Sequence, residues 1–263
     1  MKMRYIKIYV EQCKLSVMSA AMYRANFWLM LIQSFINTAM GILCIEFIYG
    51  SVDSIAGWGK GEMLILICTA MVVNQLFRNL IHWNQNRFVR AIGSGGLDKM
   101  LLRPISLIFQ ANTGRVDISG IISITAPAVV LIYQIFAAGI NINAVDLGLY
   151  ILFLLNGVLI LSSFMLLLYS SAFIFIHVDG LDNIYYILMD IAEKPEEMFS
   201  RNIYYGFLFL IPAMPIANAP VSILLGKGNW FLMLVNIGIG LLFAAASYAA
   251  LQLGLRRYTS ASS

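Results

Sequence analysis

The sequence predicts an all-α integral membrane protein with six transmembrane helices behind an N-terminal amphipathic helix, both termini cytoplasmic. Three observations predict it. Hydrophobic residues make up 60% of the 263 positions and charged ones 11%, against roughly 45–50% and about 25% in soluble domains. The apolar residues fall into charge-free runs of spanning length. The few basic residues crowd to one side of those runs. A soluble fold has too little interior for so much apolar surface, and mean hydropathy is +0.83. Lipid in turn requires each spanning backbone to satisfy its own hydrogen bonds, which selects helices.

The elements follow in chain order. Arg4, Lys7, Glu11 and Lys14 recur at spacings of three and four, with Ile6, Tyr9, Val10, Cys13 and Val17 opposite. That pattern predicts an interfacial helix over 1–25. Its scattered charges, with no short apolar core ahead of a small-residue cleavage site, predict no removable signal peptide. A span needs about 20 mostly apolar residues, and six candidates meet this: 27–45, 63–81, one within 118–145, 147–176, one within 202–226 and one within 229–255. The whole of 1–263 then reads as a single transmembrane domain. Its cytoplasmic parts are a region over 82–114 and a connection over 177–201 that carries Asp179, Asp182, Asp190, Glu193, Glu196 and Glu197.

Charge sets the orientation. Lys2, Arg4, Lys7, Lys14 and Arg24 precede the first span; Arg78, Arg87, Arg90, Lys99, Arg103 and Arg115 surround the second-to-third connection. Lys194 and Arg201 fall in the fourth-to-fifth connection, and Arg256 and Arg257 follow the sixth span. Of the 17 basic residues only Lys60 and Lys227 remain for the other side. Positive residues stay cytoplasmic, so both termini face the cytoplasm. The net charge of +4 therefore reads as topology, and no nucleic-acid partner is expected.

Catalytic apparatus is missing from the sequence. Gly57–Gly61 reads GWGKG and Gly93–Lys99 reads GSGGLDK; neither is a phosphate loop opening a helix after a strand. There is no HExxH and no GxSxG. Cys13, Cys44 and Cys68 form no CxxC, and His82 and His177 sit at span ends, where an interfacial role fits better than catalysis or a metal. Glu46 and Arg78 lie near the ends of their spans, so no charged midplane site marks ion coupling. Within the spans, Gln33, Ser34, Asn37 and Thr38 form one polar side of the first; Asn74, Gln75 and Arg78 do so on the second. Two readings stay open for Gln33, Asn37, Asn74 and Gln75. One is helix–helix hydrogen bonding, worth about 1 kcal/mol or less each; the other is a wet, substrate-contacting seam between two protomers.

The most distinctive stretch runs from Arg87 to Gln110. It reads as a short helix, a break over Gly93–Gly96, a second helix opening near Leu97 and a turn at Pro104. Here the chain resembles the type-2 ABC-transporter permeases, in particular a six-helix subgroup with a G-x-L-D-x-x-L-L-R-P pattern. Gly95, Gly96, Leu97, Asp98, Leu101, Leu102, Arg103 and Pro104 carry the match. A second similarity lies in Leu210–Gly226, with Pro212, Pro220, Leu224, Leu225 and Gly226 in place. The resemblance implies an exporter membrane subunit of the cytoplasmic membrane that works with a separate ATPase dimer and a second permease chain, identical or paralogous. Gly93, Gly96, Leu97, Asp98, Leu101, Arg103 and Pro104 would then form the ATPase-coupling element. Pro212, Pro215 and Pro220 would kink or break an outer helix, as a re-entrant pair or gate. This chain would hold no cofactor; ATP and Mg would sit on the partner. Two alternatives remain: an ion-gradient-driven secondary transporter and a non-transporting scaffold subunit. An apolar bundle suits lipids, hydrophobic drugs or peptides better than small ions.

Overall fold

The computed structural model describes residues 2–22, 24–114, 116–175 and 180–258; Arg115, His177 and Asp179 lie outside the described residues. It is helical, with no strand among the described residues. The helices are α1 (Lys2–Met22), α2 (Arg24–Tyr49), α3 (Lys60–Phe77), α4 (Trp83–Gly93), α5 (Leu97–Leu101), α6 (Leu107–Thr113), α7 (Ile118–Ile121), α8 (Thr125–Ala137), α9 (Ala144–Tyr169), α10 (Leu181–Ala192), α11 (Arg201–Tyr205), α12 (Met214–Leu224) and α13 (Trp230–Arg257). A π turn at Arg78–His82 joins α3 to α4. Among the described residues four helical stretches are long and apolar enough to cross a membrane: Ala25–Tyr49, Lys60–Gly93, Ala144–Phe173 and Trp230–Arg257. They match the first, second, fourth and sixth spans read from the sequence. The third corresponds to the shorter helix Ile122–Ala137, which stops at Gly139, whose φ of +63° suits glycine.

Local chemistry sets the helix starts. The Glu62 carboxylate accepts from the Gly59 N–H ahead of α3. Asn143 and Asp146 cap α9 reciprocally, and the Asn229 side chain accepts from the Phe231 N–H at the start of α13.

Contacts divide the bundle into two ends. At the near end α1 lies against the 94–113 segment: the Ser106 N–H donates to the Tyr5 hydroxyl, and Tyr5 meets Phe109 edge-on at 4.9 Å. Tyr258, past α13, packs on Phe173 at the same end. At the far end Trp58 is the hub. Its carbonyl accepts from the Tyr49 hydroxyl, its indole N–H donates to the Glu197 carboxylate at 2.8 Å, and Lys227 lies 4.7 Å over its ring. Lys227 also pairs with Glu62 at 2.9 Å.

These contacts correct two expectations. The 177–201 segment is not one connection at the near end. Asp182 accepts from the Tyr169 hydroxyl near the C-terminus of α9, whereas Glu197 reaches Trp58 at the far end. Helix α10 runs between, with Tyr185, Leu188, Met189 and Ala192 in the main core. Lys194 and Arg201 consequently sit at the far end. Nor is 202–226 a straight span. Arg201–Leu210 and Met214–Leu224 meet at 108°, and the pair begins beside Glu197 and ends beside Lys227, both at the far end. It is a re-entrant hairpin. The cause of both errors is the same. Twelve residues with Asp182 and Asp190 fail a test for long charge-free runs, although both charges lie at the helix ends, Asp190 paired with Lys194. A longer apolar stretch broken at Pro212 passes that test.

The hairpin is held by close approach. Pro220 has no N–H for the Ile216 carbonyl, and that oxygen lies where a side chain on Gly157 of α9 would be. Asn218 anchors the outer part: its amide donates to the Lys194 carbonyl at 3.0 Å and accepts from the Glu196 N–H at 3.2 Å.

Candidate functional site

The near-end loop begins where α4 stops at Gly93. Of its three glycines only Gly95 needs its lack of a side chain for the backbone, with φ +72°. Gly96 is in the helical region and leads into α5, which opens at Leu97 with Asp98 in its first turn. Leu97 is fully buried in a cluster with Phe88, Ile92, Ala111, Leu166 and Leu251, so the loop is pinned on α4, α6, α9 and α13 together. Gln110 straps it from below, its amide donating to the carbonyls of Met100 at 2.9 Å and Ile105 at 3.1 Å. Pro104 follows the turn, where the Ile105 N–H donates to the Arg103 carbonyl at 2.8 Å. The tip faces outward: Leu101 is 47% and Leu102 84% exposed. Tyr258 approaches Asp98 from the end of α13; burial first and the carboxylate second raise its phenol above the ordinary range. Sequence reading passed over Gln110 and Tyr258; Gln110 had a signal, a lone amide between apolar residues.

Beside this loop lies a polar cavity of about 590 Å³, walled by α2, the π turn, α4, the end of α9 and α10. The π turn shapes one wall. Such turns insert an extra residue, re-aim side chains and occur often at functional sites, and this one presents Arg78 and His82 to the cavity, with Trp83 and Arg90 following and Asp182 and Tyr185 opposite. His82 stacks on Tyr185 at 5.1 Å and has the Asn86 amide nitrogen 3.0 Å from Nε2. A smaller cleft next to it is lined by Gln33, Asn37, Gln75, Arg78 and Asn79. The structure therefore brings Gln33, Asn37 and Gln75 together. Asn74 is turned away, accepting from the Tyr185 hydroxyl. Below them Asn79 donates to the Gly120 carbonyl at 2.7 Å, and Ser34 donates to the Ser123 carbonyl. The polar residues thus divide: Gln33, Asn37 and Gln75 line the cleft, while Ser34, Asn74 and Asn79 make hydrogen bonds between helices.

The three prolines do different things. Pro212 sits at the hairpin bend, Pro215 in the first turn of α12, where a missing N–H costs nothing, and Pro220 inside α12. Among the described residues no group of His, Cys, Asp or Glu is arranged to hold a metal.

The apolar helices of spanning length make this a multi-pass membrane protein, with a pinned loop and a polar cavity beside it at one end. The model of the family described as "ABC-2 family transporter protein" matches residues 35–262. The chain belongs to that family, whose members are membrane permeases that work with an ATPase partner. No curated protein and no solved structure matches the chain.

Proposed function

We propose that this chain is the permease subunit of an ATP-driven exporter of the cytoplasmic membrane, with two permease chains facing each other and a separate ATPase docking on the Leu97–Pro104 loop. The observation that carries this reading is the loop itself: anchored by Leu97, strapped by Gln110 and apolar at its tip, it is stiff enough to pass a rigid-body motion of a partner into the spans. The polar cavity beside it is the candidate pathway, and the hairpin at 201–224 the candidate outer gate.

This reading uses six crossings, with α10 as the fifth in place of 202–226. At 12 residues α10 is roughly 18 Å long, short of a hydrocarbon core of about 30 Å. Packing against α3, α9 and α12 spares it full lipid contact on that side, and short spans are accommodated by local thinning. With Lys194 and Arg201 moved to the far end beside Lys60 and Lys227, basic residues still favour the near end, which supports cytoplasmic termini.

The test is copurification. The wild-type chain is expected to retain its ATPase through affinity purification, and Leu101→Ser with Leu102→Ser to lose most of it while the permease itself stays monodisperse. Undiminished recovery of the ATPase with the double variant removes the loop from the docking role.

A further inference from the structure

We propose that a second cavity at the near end, separate from the pathway cavity, is a binding site for the headgroup of an anionic phospholipid with hydroxyl donors, of the phosphatidylglycerol type. The cavity, of about 240 Å³, lies between α1, α4 and the 96–110 segment. Three cations line it: Arg87 from α4, and Lys99 and Arg103 from the loop. Its lining includes no carboxylate. None of the three cations forms an ion pair among the described residues. Asp117, which shares a neighbouring cavity with Arg87, is used to cap α7 through the Gly120 N–H at 3.1 Å. Three like charges lining one cavity repel one another. A phosphodiester anion placed among them removes that repulsion.

Two amide oxygens sharpen the assignment. Gln110 is 95% buried by its 5% exposure, and both of its protein hydrogen bonds use the amide nitrogen, so Oε1 is fixed as an acceptor and has no partner. Gln12 of α1 also lines the cavity and likewise has an unpartnered, buried Oε1. A buried acceptor left unmade is costly. A phosphodiester supplies no donor for these oxygens, but the hydroxyls of a glycerol headgroup do. The location suits a lipid rather than a soluble anion. Helix α1 exposes Ile6, Val10, Val17 and Met18, an apolar surface on which acyl chains lie while the headgroup sits among the cations. Arg103 also belongs to the proposed docking loop, so an occupied site would tie loop position to the anionic lipid beneath it.

The experiment is a titration of the purified full-length chain in neutral detergent, read by native mass spectrometry, with phosphatidylglycerol, phosphatidylcholine and inorganic phosphate as separate probes. Phosphatidylglycerol is expected to bind in preference to phosphatidylcholine, and millimolar phosphate to displace it weakly. Arg87→Gln with Arg103→Gln is expected to weaken phosphatidylglycerol about 20–30-fold, since each surface cation contributes about a factor of five. Arg256→Gln with Arg257→Gln removes the same charge outside the cavity and is expected to change binding less than about two-fold on this account. Gln12→Leu removes a hydrogen bond but no charge and is expected to cost about five-fold. Equal weakening by the two arginine pairs, or equal affinity for phosphatidylcholine, overturns the site; efficient displacement by inorganic phosphate reassigns it to a free anion and overturns the lipid. Retained lipid binding in Arg87→Gln/Arg103→Gln with loss of the ATPase would mean that these cations serve the docking partner. The lipid titration needs no ATPase, so its failure and that of the docking reading are separable.

Discussion

At the scale of single residues, the most demanding position is Gly157. Any side chain there collides with the Ile216 backbone oxygen, and backbone yields less readily than a side-chain tip. Gly157→Ala is expected to destabilise by about 1–3 kcal/mol, lowering the unfolding temperature by about 2–4 °C per kcal/mol. Gly148→Ala, in the same helix with nothing within 4 Å of its added carbon, is expected to stabilise by up to about 1 kcal/mol; thermal unfolding of both in one detergent checks the contrast. Glu193 makes a pH prediction. Burial first and Asp190 second, opposed by Lys194, push its carboxyl up to about 7. The folded state therefore holds a proton that the unfolded chain has released above its ordinary range near 4.5, so stability declines as pH rises from about 4.5 to 7. Glu193→Gln is expected to match the parent at pH 5 and to unfold at higher temperature than the parent at pH 8; a parallel pH profile for the two proteins would contradict the burial argument. Neither residue was legible in the sequence. A glycine in an apolar run has no marker for what crosses it, and Glu193 is one acid among several until the fold buries it.

At the scale of elements, the sequence was legible where elements are long and uniform. The runs at 27–45, 63–81, 147–176 and 229–255 became α2, α3, α9 and α13, and the break-and-restart at Gly93–Leu97 appeared with Leu97 opening α5. It misled where length and polarity pull apart, as with α10 and the 201–224 hairpin. No local feature of 181–192 says that its acids will sit at helix ends with Tyr169 and Lys194 as partners. That topology has a direct test. In a background with Cys13, Cys44 and Cys68 replaced, Glu197→Cys is expected to react with an impermeant maleimide from the same face as Asp53→Cys, and Leu102→Cys only from the other. Labelling of Glu197→Cys together with Leu102→Cys would restore 177–201 as a near-end connection and remove α10 as a crossing.

At the scale of the whole molecule, composition named the solvent and the fold sets two unlike ends apart. The near end holds the pinned loop, several cavities and most of the cations; the far end holds the hairpin and the Trp58 cluster. Of the polar residues singled out in the sequence, Gln33, Asn37 and Gln75 gather at open space and Asn74 does not, a division that depends on which helix packs opposite and so could not be read from spacing alone. Leu102, at the exposed tip of the loop, is the residue proposed to meet the ATPase. A photoreactive amino acid placed at Leu102, irradiated in native membranes and probed for the ATPase subunit, tests this most directly, with the same probe at Asp53 as reference. A crosslink to the ATPase from position 102 and none from position 53 is the predicted result. No crosslink from 102, or equal crosslinking from both, would contradict it.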